Sequence, residues 1–235
     1  MKKLILPLLF LLSLLPLLLL PPSALASAWV YPMDKFAERI TIKSFGQLID
    51  NNFYLGKEDL FPNKRYFGYH TGVDLEVFPN EENSDVPIYA VASGTITYIG
   101  YITGYGGLIL ENFGDHTALY GHLKLSSITL KKGEKVDAGQ QLALLGNAFS
   151  TETDGERKHL HFGIYKGSDL YFKGHETSLS QLQNKWEDPE KFLSEKGAVS
   201  PTFPTTTLTP TPIPTTPSSF WDFIINMMKK FLISK

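Results

Sequence analysis

The sequence predicts an all-β domain: an antiparallel β-sandwich or barrel-like arrangement with few short helices, then a Pro/Thr-rich linker and an amphipathic C-terminal helix. Three observations carry this. Short runs of strand-forming residues recur between Val86 and Tyr165, turn residues separate them, and helix signals are scarce until Asp188. Short strands at such spacing, punctuated by glycine, serine and aspartate, pack as antiparallel sheets.

The N-terminal stretch MKKLILPLLFLLSLLPLLLLPPSALASA has the three parts of a secretory signal. Lys2 and Lys3 precede a leucine-rich run, and Ala24-Leu25-Ala26 forms a small-residue cleavage site. A retained membrane anchor is the alternative. Pro7, Pro16 and Pro21-Pro22 interrupt or end the run and favour cleavage. Residues 1–26 are therefore set aside as a signal peptide, and 27–199 is the folded candidate.

Within it, Val86–Ala92 is the first clear strand, with Pro87 suited only to an edge or a strand start. Ser93-Gly94 then turns into Thr95–Ile99. Gly106-Gly107 leads into Leu108–Leu110, and Gly114-Asp115 turns into Thr117–Tyr120. Gln141–Gly146 and His161–Tyr165 complete the series. Asp188-Pro189-Glu190 marks a helix start, with Asp188 as cap and Pro189 in the first turn. From Ser200 to Ser219, repeated proline and threonine read as a semi-rigid exposed linker. In the last segment, 220–235, Phe220, Ile224, Met227 and Phe231 recur at helical spacing. It is too short to span a bilayer; it suits either peripheral contact with a membrane interface, Lys229, Lys230 and Lys235 lying near headgroups, or a helix packed on its own domain or a partner.

Composition narrows the chemistry. The chain has no cysteine, which excludes disulfides, thiolate metal sites and a cysteine nucleophile. A net charge of −2 gives no basic footprint for nucleic acid. A metal would be held by histidine and carboxylate. Four of the 6 histidines fall in three short patterns: Tyr69-His70-Thr71-Gly72-Val73-Asp74-Leu75, Leu119-Tyr120-Gly121-His122-Leu123, and Lys158-His159-Leu160-His161-Phe162.

A catalytic zinc takes three protein ligands and keeps a fourth position open. In a straight strand the Cα atoms of His70 and Asp74 would stand roughly 13 Å apart, too far to share a metal. Gly72 makes a bend easy, so the pair is expected to converge from a kinked loop or strand end. His159 and His161 share one strand face at roughly 6–7 Å. Both can reach one metal, or one can bind while the other faces a substrate; spacing does not choose. Four ligands would close the site, whereas three would leave room for a water. His122, His116 and His175, taken singly, read as ordinary polar residues.

Together, HTGVD, YGHL and HLHF resemble the LytM/lysostaphin-type zinc metallopeptidases, the peptidoglycan-cleaving endopeptidases of bacterial walls. The resemblance runs from about Ile40 to Leu193 and takes in Ile42–Gly46, Ile88–Ile96, Gly104–Gly107 and Lys132–Gln140. It implies one zinc ion bound by His70, Asp74 and His161, with His122 and His159 as catalytic groups. It also implies peptidoglycan peptides as substrate and an exported, extracellular, periplasmic or wall-associated enzyme. Two departures stand out. The glycine-, serine- and proline-rich turn usual before the H-x-H strand is here the charged Glu152–Lys158, and Gly163 stands where an acidic residue is common. Neither alters a ligand position, and both bear on substrate preference rather than activity. The alternatives are a non-catalytic wall-binding or amidase-regulating relative, which typically lacks ligands, and a carrier domain suggested by LKKGEKVDAGQQLALLG. The latter has no attachment lysine in a matching hairpin.

Overall fold

The computed structural model describes residues 29–62 and 66–202. The signal peptide, nearly all of the linker and the C-terminal segment lie outside the described residues. Among the described residues, twelve strands and two short α-helices follow one another. The strands are β1 (Leu48–Ile49), β2 (Gly68–His70), β3 (Gly72–Glu76), β4 (Pro87–Tyr89), β5 (Gly94–Ile102) and β6 (Gly106–Asn112). Then come β7 (Thr117–Leu123), β8 (Lys135–Val136), β9 (Gln141–Leu144), β10 (His159–Tyr165), β11 (His175–Glu176) and β12 (Trp186–Glu187). The helices are α1 (Leu179–Lys185) and α2 (Pro189–Glu195).

A seven-stranded sheet runs β12-β10-β7-β6-β5-β8, with β3 also paired to β10. Every pairing between these strands is antiparallel. A three-stranded sheet, β1-β2-β11, and the β4–β9 pair complete the fold, and the sheets do not close into a barrel. Pro87 opens β4, which pairs only with β9, so its missing N–H leaves no ladder bond unmade.

Alternation along the strands separates core from site. Leu160, Phe162 and Ile164 of β10 enter the main core with Val73 and Leu75 of β3, Ala118 and Tyr120 of β7, and Ile88 of β4. Register places Leu75 opposite Leu160 and Val73 opposite Phe162. The intervening residues, His159 and His161, face the other way. Elsewhere on that second face Trp186, Leu110, Leu119 and Leu182 form a smaller cluster. Asp188 caps α2 by accepting from the amides of Glu190 and Lys191, and Leu193 inserts into the core. Helix α1 is an addition to the sequence reading. Ser178 caps it by accepting from Gln181 N–H.

Glu111 is fully buried and accepts a 2.5 Å hydrogen bond from the Tyr120 hydroxyl. Burial pushes its carboxyl up from 4.5 to about 7. The folded state therefore holds a proton there that the unfolded chain has released. Stability from this group is full below pH 4.5 and declines as pH rises through about 7. Glu111→Gln should flatten that decline by on the order of 2 kcal/mol between pH 5 and pH 8. Thermal unfolding of both proteins across that range is the check.

Candidate metal centre and active site

His70 ends β2, Thr71 bends the chain, and Asp74 lies in the middle of β3. The bend brings His70 Nε2 to 3.2 Å from Asp74 Oδ1, the convergence expected from a kinked strand end. The role of Gly72 differs from the expected one. Its backbone is not left-handed; a Cβ there would lie 2.3 Å from Phe162 O, so only glycine lets β3 approach β10 so closely. That pairing sets Asp74 directly opposite His161. His161 Nδ1 lies 3.2 Å from Asp74 Oδ1 and 3.0 Å from His70 Nε2.

These three atoms fit a metal. His70 Nδ1–H donates to Ser44 O at 3.1 Å, which leaves Nε2 with a lone pair. Two acceptors, His70 Nε2 and Asp74 Oδ1, then stand 3.2 Å apart with His161 Nδ1 within reach of both, an arrangement that a cation among them would satisfy. The separation between ligands around a tetrahedral zinc, with bonds of about 2.0–2.1 Å, is about 3.3 Å, close to what is found. His70, Asp74 and His161 are the one His/Asp/Glu cluster of this kind among the described residues, with ligand atoms within 4.8 Å of one another. Burial pushes His161 down to about 4, so it is neutral at pH 7 as a ligand must be. Burial opposes the charge on Asp74, but the facing His159 and His70 rings and the Lys43 ammonium more than offset it and hold the carboxyl well below its usual range.

The remaining two histidines stand beside this cluster. His159 faces Glu76 of β3, and its Nδ1–H donates to Arg157 O at 2.9 Å, turning Nε2 into the site. Burial lowers it to about 4. His122 arrives by a different device. Simple alternation on β7 would send it to the core beside Tyr120. However, Gly107 pairs with Leu123 and Leu108 with Gly121, so His122 is the extra residue of a bulge. It adopts φ 64°, rare outside glycine, and its ring comes to 4.3 Å (centroid to centroid) from that of His159. Burial lowers His122 well below the ordinary histidine value. Its Nδ1 has no hydrogen-bond partner among the described residues.

All five sequence-derived residues thus line one cleft of about 320 Å³. Sequence reasoning missed two others there, Tyr105 and His175, and a third residue behind the lining. Tyr105 packs edge-on to His161, with ring centroids 5.2 Å apart, over Gly121, where a Cβ would meet its ring at 2.7 Å. His175 pairs with His70 across β11–β2, and its Nε2 is buried without a partner among the described residues. Arg157 is the third. Its Nη2 donates to Asp74 Oδ2 at 2.8 Å. The charged stretch Glu152–Lys158, expected to leave the ligands untouched, therefore contacts one directly.

The profile of peptidase family M23 matches residues 68–174. Lipoprotein NlpD of Yersinia enterocolitica is 38% identical over 87 residues, 36% of this chain and 82% of that protein. Endolysin 2638A of Staphylococcus phage 2638A is 38% identical over 82 residues; these are 34% of this chain, which spans only 16% of the endolysin. Murein hydrolase activator NlpD of Salmonella dublin is 30% identical over 151 residues, covering 63% of this chain and 31% of that protein. Among solved structures, the catalytic domain of the antimicrobial peptidase lysostaphin from Staphylococcus simulans has 28% identity and a TM-score of 0.40, over 54% of this chain and 80% of that one.

The glycine at 163 has a local cause. A Cβ there would stand 3.1 Å from Trp186 Cζ3 and 3.3 Å from Thr71 O. Restoring an acidic side chain, Gly163→Glu, should lower stability by about 1–3 kcal/mol through overpacking and a buried carboxylate. Denaturant unfolding measures it, and an unchanged midpoint would show that Trp186 yields freely.

Proposed function

This chain belongs to peptidase family M23, and from that premise we propose that it is an exported zinc metalloendopeptidase that hydrolyses peptide cross-bridges or stem peptides of peptidoglycan. The observation that carries this reading is the cluster of three ligands, His70, Asp74 and His161, beside two further buried histidines. Three ligands, rather than four, are the catalytic arrangement.

Zinc bound there polarises a scissile carbonyl and brings the pKa of a water towards neutrality. The chain's own groups do the rest. His159 and His122 are both neutral at pH 7 and lie side by side, so one accepts the proton of the attacking water and passes it to the leaving amine. The other donates a hydrogen bond to the oxygen that gains charge. Burial around the pair keeps those interactions out of bulk water, where they would be weaker. The loop before β10 contributes a carbonyl, Arg157 O, that fixes the ring of His159.

In this proposal residues 1–26 direct export, 27–199 form the peptidase domain, 200–219 act as a spacer, and 220–235 make peripheral membrane contact. The support is the sequence pattern of each segment. A second reading, a non-catalytic activator of other wall hydrolases, is favoured by the name of the Salmonella relative. Retention of all five site residues favours catalysis.

Mass spectrometry of cross-linked peptidoglycan incubated with the purified chain and zinc, beside His70→Ala, separates the two. New peptide ends in the zinc sample alone are expected and would name the bond cut. Bound zinc with no new ends would favour the activator. The division of roles has its own check, since His70→Ala should lose zinc while His122→Ala keeps it and loses turnover by roughly 10²–10⁴-fold. Zinc loss from the second variant, by metal analysis after gel filtration, would overturn that division.

A further inference from the structure

The two oxygens of Asp74 have different partners. Oδ1 faces His70 Nε2 and His161 Nδ1, both at 3.2 Å. Oδ2 faces away from that cluster, towards Arg157 Nη2 at 2.8 Å, with Lys43 Nζ at 3.7 Å and His159 Nε2 at 3.4 Å. Arg157 is itself locked. Its Nε and Nη2 make a forked pair with Glu76, with Nη2 2.5 Å from Oε1 and Nε 3.0 Å from Oε2. Nη1 donates to Glu156 at 3.3 Å, and the guanidinium lies over the Phe61 ring. Glu76 and Asp74 share a strand face two residues apart, so a single planar guanidinium spans both carboxylates. A lysine offers a point charge and cannot hold both in the same way.

A carboxylate with both oxygens free can turn about its last bond and chelate a cation through either oxygen or both. Here one oxygen is already occupied. Resting on the zinc reading above, we propose that Arg157 is a positioning residue, which holds Oδ2 so that Asp74 presents Oδ1 alone to the metal. The charged stretch that departs from the family pattern is then part of the metal centre's support. Glu76 and Glu156 accept from the guanidinium and hold it in place.

The test uses the purified chain and zinc affinity by chelator competition, with Arg157→Gln and Arg157→Lys beside the wild type. Ligand-orienting partners are worth roughly 10–100-fold in metal affinity, and Arg157→Gln should lose that much. Cobalt(II) in place of zinc supplies a readout that a general loss of stability would not move. Release of Oδ2 allows two-oxygen coordination, and the visible absorption of the cobalt protein should weaken as coordination number rises. Arg157→Lys, which keeps the charge and so the fold, should show the same spectral change and carries the test if the glutamine variant does not fold. Unaltered zinc affinity, or an unaltered cobalt spectrum in the folded lysine variant, overturns the inference. Failure of the wild type to bind zinc sinks the underlying zinc reading and this inference with it, whereas wild-type binding with unperturbed variants sinks this inference alone.

Discussion

Strand β10 is hydrogen-bonded on both edges, and its register governs the site. On one side His161 lies opposite Asp74; on the other it lies opposite Gly121. The first pairing sets the distance between two candidate ligands, and the second leaves room for Tyr105 against the His161 ring. A slip of one residue would turn Leu160 and Phe162 into the cleft and bury the histidines in the core. The apolar face therefore enforces the polar one: Leu75 against Leu160 and Val73 against Phe162 hold the register that sets Asp74 opposite His161.

How far this was legible in the sequence depended on whether a feature obeyed a simple period. His159 and His161 alternate with Leu160, so their shared face could be read directly. The His70–Asp74 convergence was legible because the straight-strand distance was impossible for a shared metal. The strand series and the Asp188 cap followed from local turn and capping chemistry. His122 was not legible, because its position depends on a bulge that reverses the expected face, and nothing in Gly121-His122-Leu123 marks which residue takes the left-handed backbone. The family resemblance supplied what the period could not. Helix α1 had a signal, Ser178 with Gln181 three residues on, that a closer reading of caps would have found.

The stretch Glu152–Lys158 was misjudged for a physical reason. Charged residues are mostly exposed, and nothing in the local sequence marks this stretch as buried against a candidate ligand. Here Asp154, Glu156, Arg157 and Lys158 are all buried. Asp154 accepts from Tyr101 and from Gly104 N–H, which ties the stretch to the glycine turn beside the cleft. Lys158 donates to the carbonyls of Glu81, Glu82 and Ser84. Arg39 repeats the theme away from the site, buried with Asp34 and Glu81 at 2.6 Å and 2.7 Å. Burying such groups costs desolvation energy, which their partners must offset. Partners of that kind are long-range contacts, and composition carries no record of them.

Core and cleft residues are interleaved one for one along β10, and this couples folding to ligand occupancy. A ligand that binds only the native state adds RT ln(1 + [L]/Kd) to its stability. Truncation of the buried side chain of Phe162 or Leu160 acts on backbone shared with His161 and His159, so a lesion on the dry face weakens affinity on the wet one. The reverse also holds, for occupancy of the cleft braces the hydrophobic layer behind it. A metal held in the cleft would thereby make its own concentration a variable in the persistence of the fold.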